Sequence, residues 1–156
     1  MKHLNEYITE KLRINSKIKL KEKEYIYHPI VKDQLKDIIK YLLSKNRDAD
    51  LNIIDVSKIK DMSYLFGNLD PGNIDISEWD VSNVTDMSYM FMGCDSFNSD
   101  LSMWDVSNVK EMKNMFYGCQ KFNSDLSNWN ISKVTNMKYM FWRCDSIKKL
   151  PDWYKE

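Results

Sequence analysis

The sequence predicts an α/β solenoid of 25-residue repeats, each read as strand, turn and short helix, behind an N-terminal α+β cap. Three observations predict it. One block is written three times at a spacing of 25 residues, marked by Trp79, Trp104 and Trp129, by Met87, Met112 and Met137, by Phe91, Phe116 and Phe141, and by Cys94, Cys119 and Cys144. A degenerate copy precedes it, with Ile54, Met62, Phe66 and Leu69 at the same places. Within each copy the apolar spacing changes partway, from a strand-like to a helix-like period. A fixed period of this length marks an array in which each unit buries its apolar side against its neighbours.

Residues 1–50 do not repeat and are expected to form the cap. Leu4, Tyr7, Ile8 and Leu12 outline a short amphipathic helix, with docking of residues 1–15 to a larger assembly as its alternative use. Ile18, Leu20, Tyr25 and Tyr27 alternate with Lys and Glu, which predicts two short strands around Lys21-Glu24. After Pro29, the residues Val31, Leu35, Ile38, Ile39, Leu42 and Leu43 share one helical face. That helix should end near Lys45-Asn46 and cover the open end of the core, as terminal repeats require.

The repeat region spans residues 51–147. In the copy beginning at Leu101, the positions Leu101, Trp104 and Val106 predict a strand, and Ser107-Asn108 a turn. Met112, Met115, Phe116 and Cys119 stand at i, i+3, i+4 and i+7, which predicts a one- to two-turn helix. Glu111 suits its first turn and Gly118 its end. Strands are therefore expected near Ile54, Trp79, Trp104 and Trp129, and helices over 86–93, 111–118 and 136–143. Residues 148–156 form the C-terminal cap, in which Pro151 stops the strand and Trp153 plugs the last rung.

The run from Phe97 to Val109, followed by Met112-x-x-Met115-Phe116-Tyr117-Gly118-Cys119, resembles the BspA-type leucine-rich repeat of many bacterial surface proteins. The resemblance covers roughly residues 51–147 and extends to small intracellular or bacteriophage-encoded proteins with a few such repeats. It implies a right-handed, leucine-rich-repeat-like solenoid and a role in protein binding. It implies no catalytic residues.

Composition narrows the function classes. The 156 residues carry no net charge, but residues 1–48 are net +5, residues 49–109 net −9 and residues 110–156 net +4. The acidic middle argues against nucleic acid, whose phosphates need a continuous basic track. No secretory signal or membrane span is read in the N-terminus, so the expected compartment is the cytoplasm. Cys94, Cys119 and Cys144 occupy one repeat position, which predicts a buried ladder of small apolar side chains rather than disulfides or a metal site. The repeated Asp75, Asp100, Asp125 and Asp55, Asp80, Asp105 read as caps of turn amides, ahead of a calcium or acid/base role. No phosphate loop and no nucleophile with a nearby histidine is found. No cofactor or metal is expected.

The function expected is a non-enzymatic, monomeric protein-interaction module with an unknown protein partner. Its alternative is a structural component of a larger particle, docked through residues 1–15. Residues opposite the predicted core face form the candidate partner surface: Tyr64, Tyr89, Met92, Tyr117, Tyr139 and Trp142. An outer stripe of aromatic side chains suits an interface. The competing surface is the strand face, with Glu78, Asp80, Met103, Asp105, Asn128 and Asn130.

Overall fold

The structure is a computed structural model that describes residues 18–20, 23–47, 49–72 and 74–155. The amphipathic segment predicted over residues 1–15 lies outside these. Strand β1, Ile18–Leu20, pairs antiparallel with β2, Lys23–Tyr25, matching Ile18 to Tyr25 and Leu20 to Lys23. Helix α1, Lys32–Lys45, follows, with Asp33 in its first turn and Lys45 in its last, both favourable to its dipole. It buries Leu35 and Ile39 against the same core that the repeats fill. At its start Lys32 Nζ donates to Asp61 Oδ2 at 2.7 Å and to Ser63 Oγ at 2.8 Å, which seats α1 over the first repeat. Residues 26–27 form a further rung there: Ile26 N–H donates to Ile53 O and Asp55 N–H to Tyr27 O.

The repeats stack, but not as strand and helix. Four coils of chain follow α1, here numbered 1 to 4 over residues 51–75, 76–100, 101–125 and 126–150. Among the described residues of these coils there is no strand at Ile54, Trp79, Trp104 or Trp129, and no helix at 86–93, 111–118 or 136–143. The leucine-rich-repeat-like α/β solenoid expected from the periodicity is therefore corrected. Each coil is a succession of four-residue turns. In coil 3 these run Leu101–Trp104, Val106–Val109, Met112–Met115, Phe116–Cys119 and Cys119–Phe122, each closed by the last N–H on the first carbonyl. A turn with both ends inward, repeated at once, places residues i, i+3, i+4 and i+7 in the core. A helix does the same, so Met112, Met115, Phe116 and Cys119 satisfy either.

Hydrogen-bond satisfaction favours the turns. A helix of about eight residues leaves most of its end groups without partners and gains little cooperativity. The turn-built coil sends alternate N–H groups to the next coil instead. Met87, Tyr89, Phe91 and Gly93 donate to Glu111, Lys113, Met115 and Tyr117 at 2.8–2.9 Å. Coil 1 bonds to coil 2 and coil 3 to coil 4 in the same way, and isolated parallel bridges Asp61 to Asp86, Asp86 to Glu111 and Glu111 to Asn136 mark the line.

Backbone conformation carries the same message. The third residue of the turn at 62–65, 87–90, 112–115 and 137–140 has positive φ: Tyr64 (55°), Tyr89 (59°), Asn114 (55°) and Tyr139 (58°). The third residue of the next turn does too: Asn68 (58°), Gly93 (69°), Gly118 (77°) and Arg143 (60°). Positive φ at this place defines type II turns, which favour Gly or Asn. Gly93 and Gly118 are thus turn residues, where a helix end was expected.

Ladders of like side chains fill the interior. Phe66, Phe91, Phe116 and Phe141 stack at 5.3, 5.5 and 5.7 Å between ring centroids. Phe97 and Phe122 stack at 6.0 Å beside them. The indole N–H of Trp79, Trp104, Trp129 and Trp153 donates to Leu51, Ile76, Leu101 and Leu126 carbonyls at 2.9–3.1 Å. Trp153 stacks on Trp129 at 6.4 Å and so occupies the fourth and last rung of this ladder, as its position after Pro151 suggested. Burying one such side chain is worth about 1.5–3 kcal/mol. Among the described residues no helix is long and apolar enough to cross a membrane.

Candidate functional site: an outer aromatic stripe

The six residues singled out in the sequence fall on two adjacent columns of the outer surface. One column is Tyr64, Tyr89, Asn114 and Tyr139, and the other is Gly67, Met92, Tyr117 and Trp142. They point outward because they are the central residues of turns whose first and last residues point in. Tyr64, Tyr139 and Trp142 are 44, 45 and 49% exposed, whereas Tyr89, Met92 and Tyr117 are half-buried.

The stripe is not uniform along the stack. At its N-terminal end Tyr64 and Tyr89 lie face to face, with centroids 4.3 Å apart and planes 6° from parallel. Lys113 sits over the Tyr89 ring at 5.7 Å. The neighbouring Tyr89 raises the Lys113 ammonium pKa. Partial desolvation and the neighbouring Tyr89 push the Tyr64 phenol up. At the C-terminal end Tyr139 meets Trp142 edge to face at 5.9 Å, and Lys138 lies 4.8 Å over the Tyr139 ring. Along the stack from Asn68 to Arg143, an open groove of about 430 Å³ is lined by Gly93 and Gly118 together with Met92, Tyr117, Asp95 and Asp145. A side chain at Gly93 would put its Cβ 2.7 Å from Asn68 Oδ1, so glycine keeps that part of the groove open.

Sequence periodicity identified the outward residues but not their strain. A left-handed conformation costs an ordinary residue about 1–2 kcal/mol. Three tyrosines occupy one such column, where Asn114 shows the residue that the backbone favours. Arg143 takes the glycine position of the previous two coils and was not among the expected residues. The Gly93, Gly118 and Asn68 set was the available signal, since Gly and Asn at one repeat position mark positive φ.

The aspartates and cysteines among the other candidate groups have structural duties. On the face formed by the turns at 76–79, 101–104 and 126–129, Met103 is 87% exposed and Glu78 and Asn128 are exposed beside it. Asp80, Asp105 and Asn130 accept the N–H of the residue two places on, at 3.0–3.2 Å. Asp55, Asp75, Asp100 and Asp125 do the same at 2.9–3.0 Å, the turn-capping role read from their spacing. Backbone and hydroxyl hydrogen bonds from Ser102 hold the Asp100 carboxyl below its usual pKa, and Ser107 and Ser127 do so for Asp105 and Asp125. The thiols of Cys94, Cys119 and Cys144 are buried and donate to Phe66, Phe91 and Phe116 carbonyls at 2.9–3.2 Å. Burial pushes the Cys94 and Cys144 thiols up to about 12 and raises Cys119 as well. Among the described residues no group of three His, Cys, Asp or Glu side chains is placed to hold a metal ion.

No curated protein and no solved structure matches this chain. Residues 36–153, about three quarters of its length, match a family described as Mycoplasma protein of unknown function, DUF285. The matched stretch runs from within α1 to Trp153, the last rung of the tryptophan ladder. The chain belongs to the DUF285 family.

Proposed function

We propose that this chain is a non-catalytic protein-interaction module that binds a partner protein through the outer stripe of Tyr64, Tyr89, Met92, Tyr117, Tyr139 and Trp142. The single observation that carries the reading is the pairing of exposure with strain. Tyr64 and Tyr139 are nearly half exposed at positive φ, where Asn or Gly would relieve the backbone. Core packing does not require a tyrosine there, and exposed aromatic residues on a rigid backbone are suited to anchor an interface. The stacked turns hold these rings in fixed rows, which limits the entropy lost on binding. The Asp and Cys ladders serve turns and core, and the stripe concentrates exposed aromatic side chains in a way that the Met103 face does not. We place the module in the cytoplasm, where three free thiols stay reduced.

The test is the double substitution Tyr117→Ser, Trp142→Ser, followed by thermal unfolding and by pull-down from the native cell. The expected result is an unchanged Tm with loss of the proteins captured by the unaltered chain. A large fall in Tm would show that these side chains are packing. An unchanged capture profile would move the interface off the stripe.

A further inference from the structure

The hydrogen bonds between coils run backward at a few places, Thr85 to Lys60, Lys110 to Thr85, Thr135 to Lys110, Lys121 to Asp95 and Ser146 to Gln120, and forward along one continuous face. Along residues 62–69 and their repeats, four columns carry three bonds each, and in all twelve the N–H belongs to the earlier coil and the carbonyl to the later one. One column reads Met62 to Asp86, Met87 to Glu111 and Met112 to Asn136, at 2.9, 2.8 and 2.8 Å. Another reads Phe66 to Met90, Phe91 to Met115 and Phe116 to Met140, at 2.9, 2.9 and 3.0 Å. Peptide dipoles aligned in this way leave partial positive charge at the N–H end, for the reason that they do in a helix.

That end is coil 4. By the repeat, its forward N–H groups are those of Met137, Tyr139, Phe141 and Arg143, and no described residue accepts from them. An ordinary strand edge alternates donors with acceptors. This edge segment offers donors in sequence, every second residue. The opposite end of the stack differs, because Lys32 and Lys36 of α1 reach across it to Asp61, Ser63 and the Tyr64 carbonyl. A second copy therefore meets α1 before it can bring its own coil 1 carbonyls to this edge.

The surroundings of the donor row are cationic and aromatic. Residues 136–155 carry five Lys or Arg and two Asp, and Asp152 is taken up by Lys149 at 3.2 Å. Lys138 and Arg143 are exposed on the same segment, with Tyr139 and Trp142 beside them.

We propose that the coil 4 edge is a docking site for an extended, acidic segment of a partner protein, which supplies backbone carbonyls to the four N–H groups and carboxylates to Lys138 and Arg143. It is a form of strand addition in which the site donates and the guest accepts. The inference rests on the reading of the chain as an interaction module. It assigns one end of that surface a partner chemistry.

The experiment uses the full chain with three labelled probes: the acidic peptide (Glu-Val)5, its cationic counterpart (Lys-Val)5, and a ten-residue oligothymidine. Fluorescence anisotropy gives affinity, and amide hydrogen exchange by NMR reads the donors directly. The acidic peptide should bind and slow exchange at Met137, Tyr139, Phe141 and Arg143 by at least about tenfold, the effect of roughly 1.4 kcal/mol. The substitutions Lys138→Ser and Arg143→Gly should weaken it by about tenfold or more. Both install the residue that an earlier coil holds at the same place, Ser88 and Gly118, so folding is retained. Absence of binding, binding without protection of these four amides, or equal binding of the cationic peptide would overturn the proposal. Equal binding of oligothymidine would do so too, by showing a general polyanion contact. Any of these leaves the reading of the outer stripe standing, because Tyr89, Met92 and Tyr117 lie on coils 2 and 3 and are tested by partner capture.

Discussion

At the scale of single residues, positive φ is the feature with the clearest energetic consequence. Gly118 sits at φ 77° with the Gly93 Cα 3.7 Å from where its Cβ would be, so space is adequate and strain is not. Gly118→Ala should destabilise by about 1–2 kcal/mol through conformation alone. The reverse change, Arg143→Gly, removes the same strain from an exposed site and should stabilise by up to about 1 kcal/mol after the entropy of the freer unfolded chain is deducted. Chemical denaturation of both variants checks this pair, and opposite signs are expected. The thiols make a second residue-scale prediction. Cys94, Cys119 and Cys144 should resist an aromatic disulfide reagent at pH 8 in the native state and react at once in denaturant, because burial keeps them protonated. Unfolded thiols ionise near pH 8.5 while two of the folded ones are pushed up to about 12, so stability should decline as pH rises between these values. Cys119→Ser should cost only about 1–2 kcal/mol, since a hydroxyl can still donate to the Phe91 carbonyl while losing apolar volume.

At the scale of the element, the unit of this protein is the turn, and much of its chemistry was legible. Asp recurs at fixed places in successive coils, and that repetition alone pointed to the turn-capping role, which in the structure is completed by the N–H of Ser two places on. It also sets a pH dependence. Asp100, Asp105 and Asp125 have carboxyl groups held below the usual range by hydrogen bonds from Ser102, Ser107 and Ser127. A folded-state pKa below the unfolded value near 3.9 contributes stability that is complete above pH 4 and lost as pH falls through the folded values. Tm should therefore be level from pH 7 to about pH 4.5 and fall below it, and a level profile down to pH 2.5 would count against the capped turns. The type of element inside each coil was not legible from apolar spacing. Met112, Met115, Phe116 and Cys119 fit a two-turn helix and a pair of type II turns equally well, because both bury the first and fourth residues of each group. Leu101, Trp104 and Val106 read as strand for a similar reason, although Leu101 and Trp104 are the two ends of one turn. Asn68, Gly93 and Gly118 held the deciding information, and the helix reading absorbed it as an end signal. In contrast, α1 was legible nearly to the residue, since fourteen residues of helical period exceed what turns can imitate.

At the scale of the molecule, the 25-residue period fixed how like residues meet, whichever local structure each copy adopts. Trp, Phe and Cys ladders follow from the period alone, and so does the alignment of Tyr64, Tyr89 and Tyr139 in one column and of Tyr117 and Trp142 in another. What the period could not give is the direction of the bonds between coils, which depends on the orientation of each peptide plane. Along the turns at 62–69 and their repeats that direction makes the stack polar, with α1 over one end and a row of donors at the other. A stack of strands and helices would be held by other bonds, so the two architectures differ in specific pairs of atoms. The measurement that separates them most directly is NMR scalar coupling across hydrogen bonds, from amide nitrogen to carbonyl carbon. Turn-built coils predict couplings from Tyr89 to Lys113, Phe91 to Met115, Asn114 to Lys138 and Phe116 to Met140, each reaching 24 residues forward. Couplings from Met115 to Glu111 and from Cys119 to Met115, four residues back, would instead show a helix over 111–119 and contradict the turn-built stack.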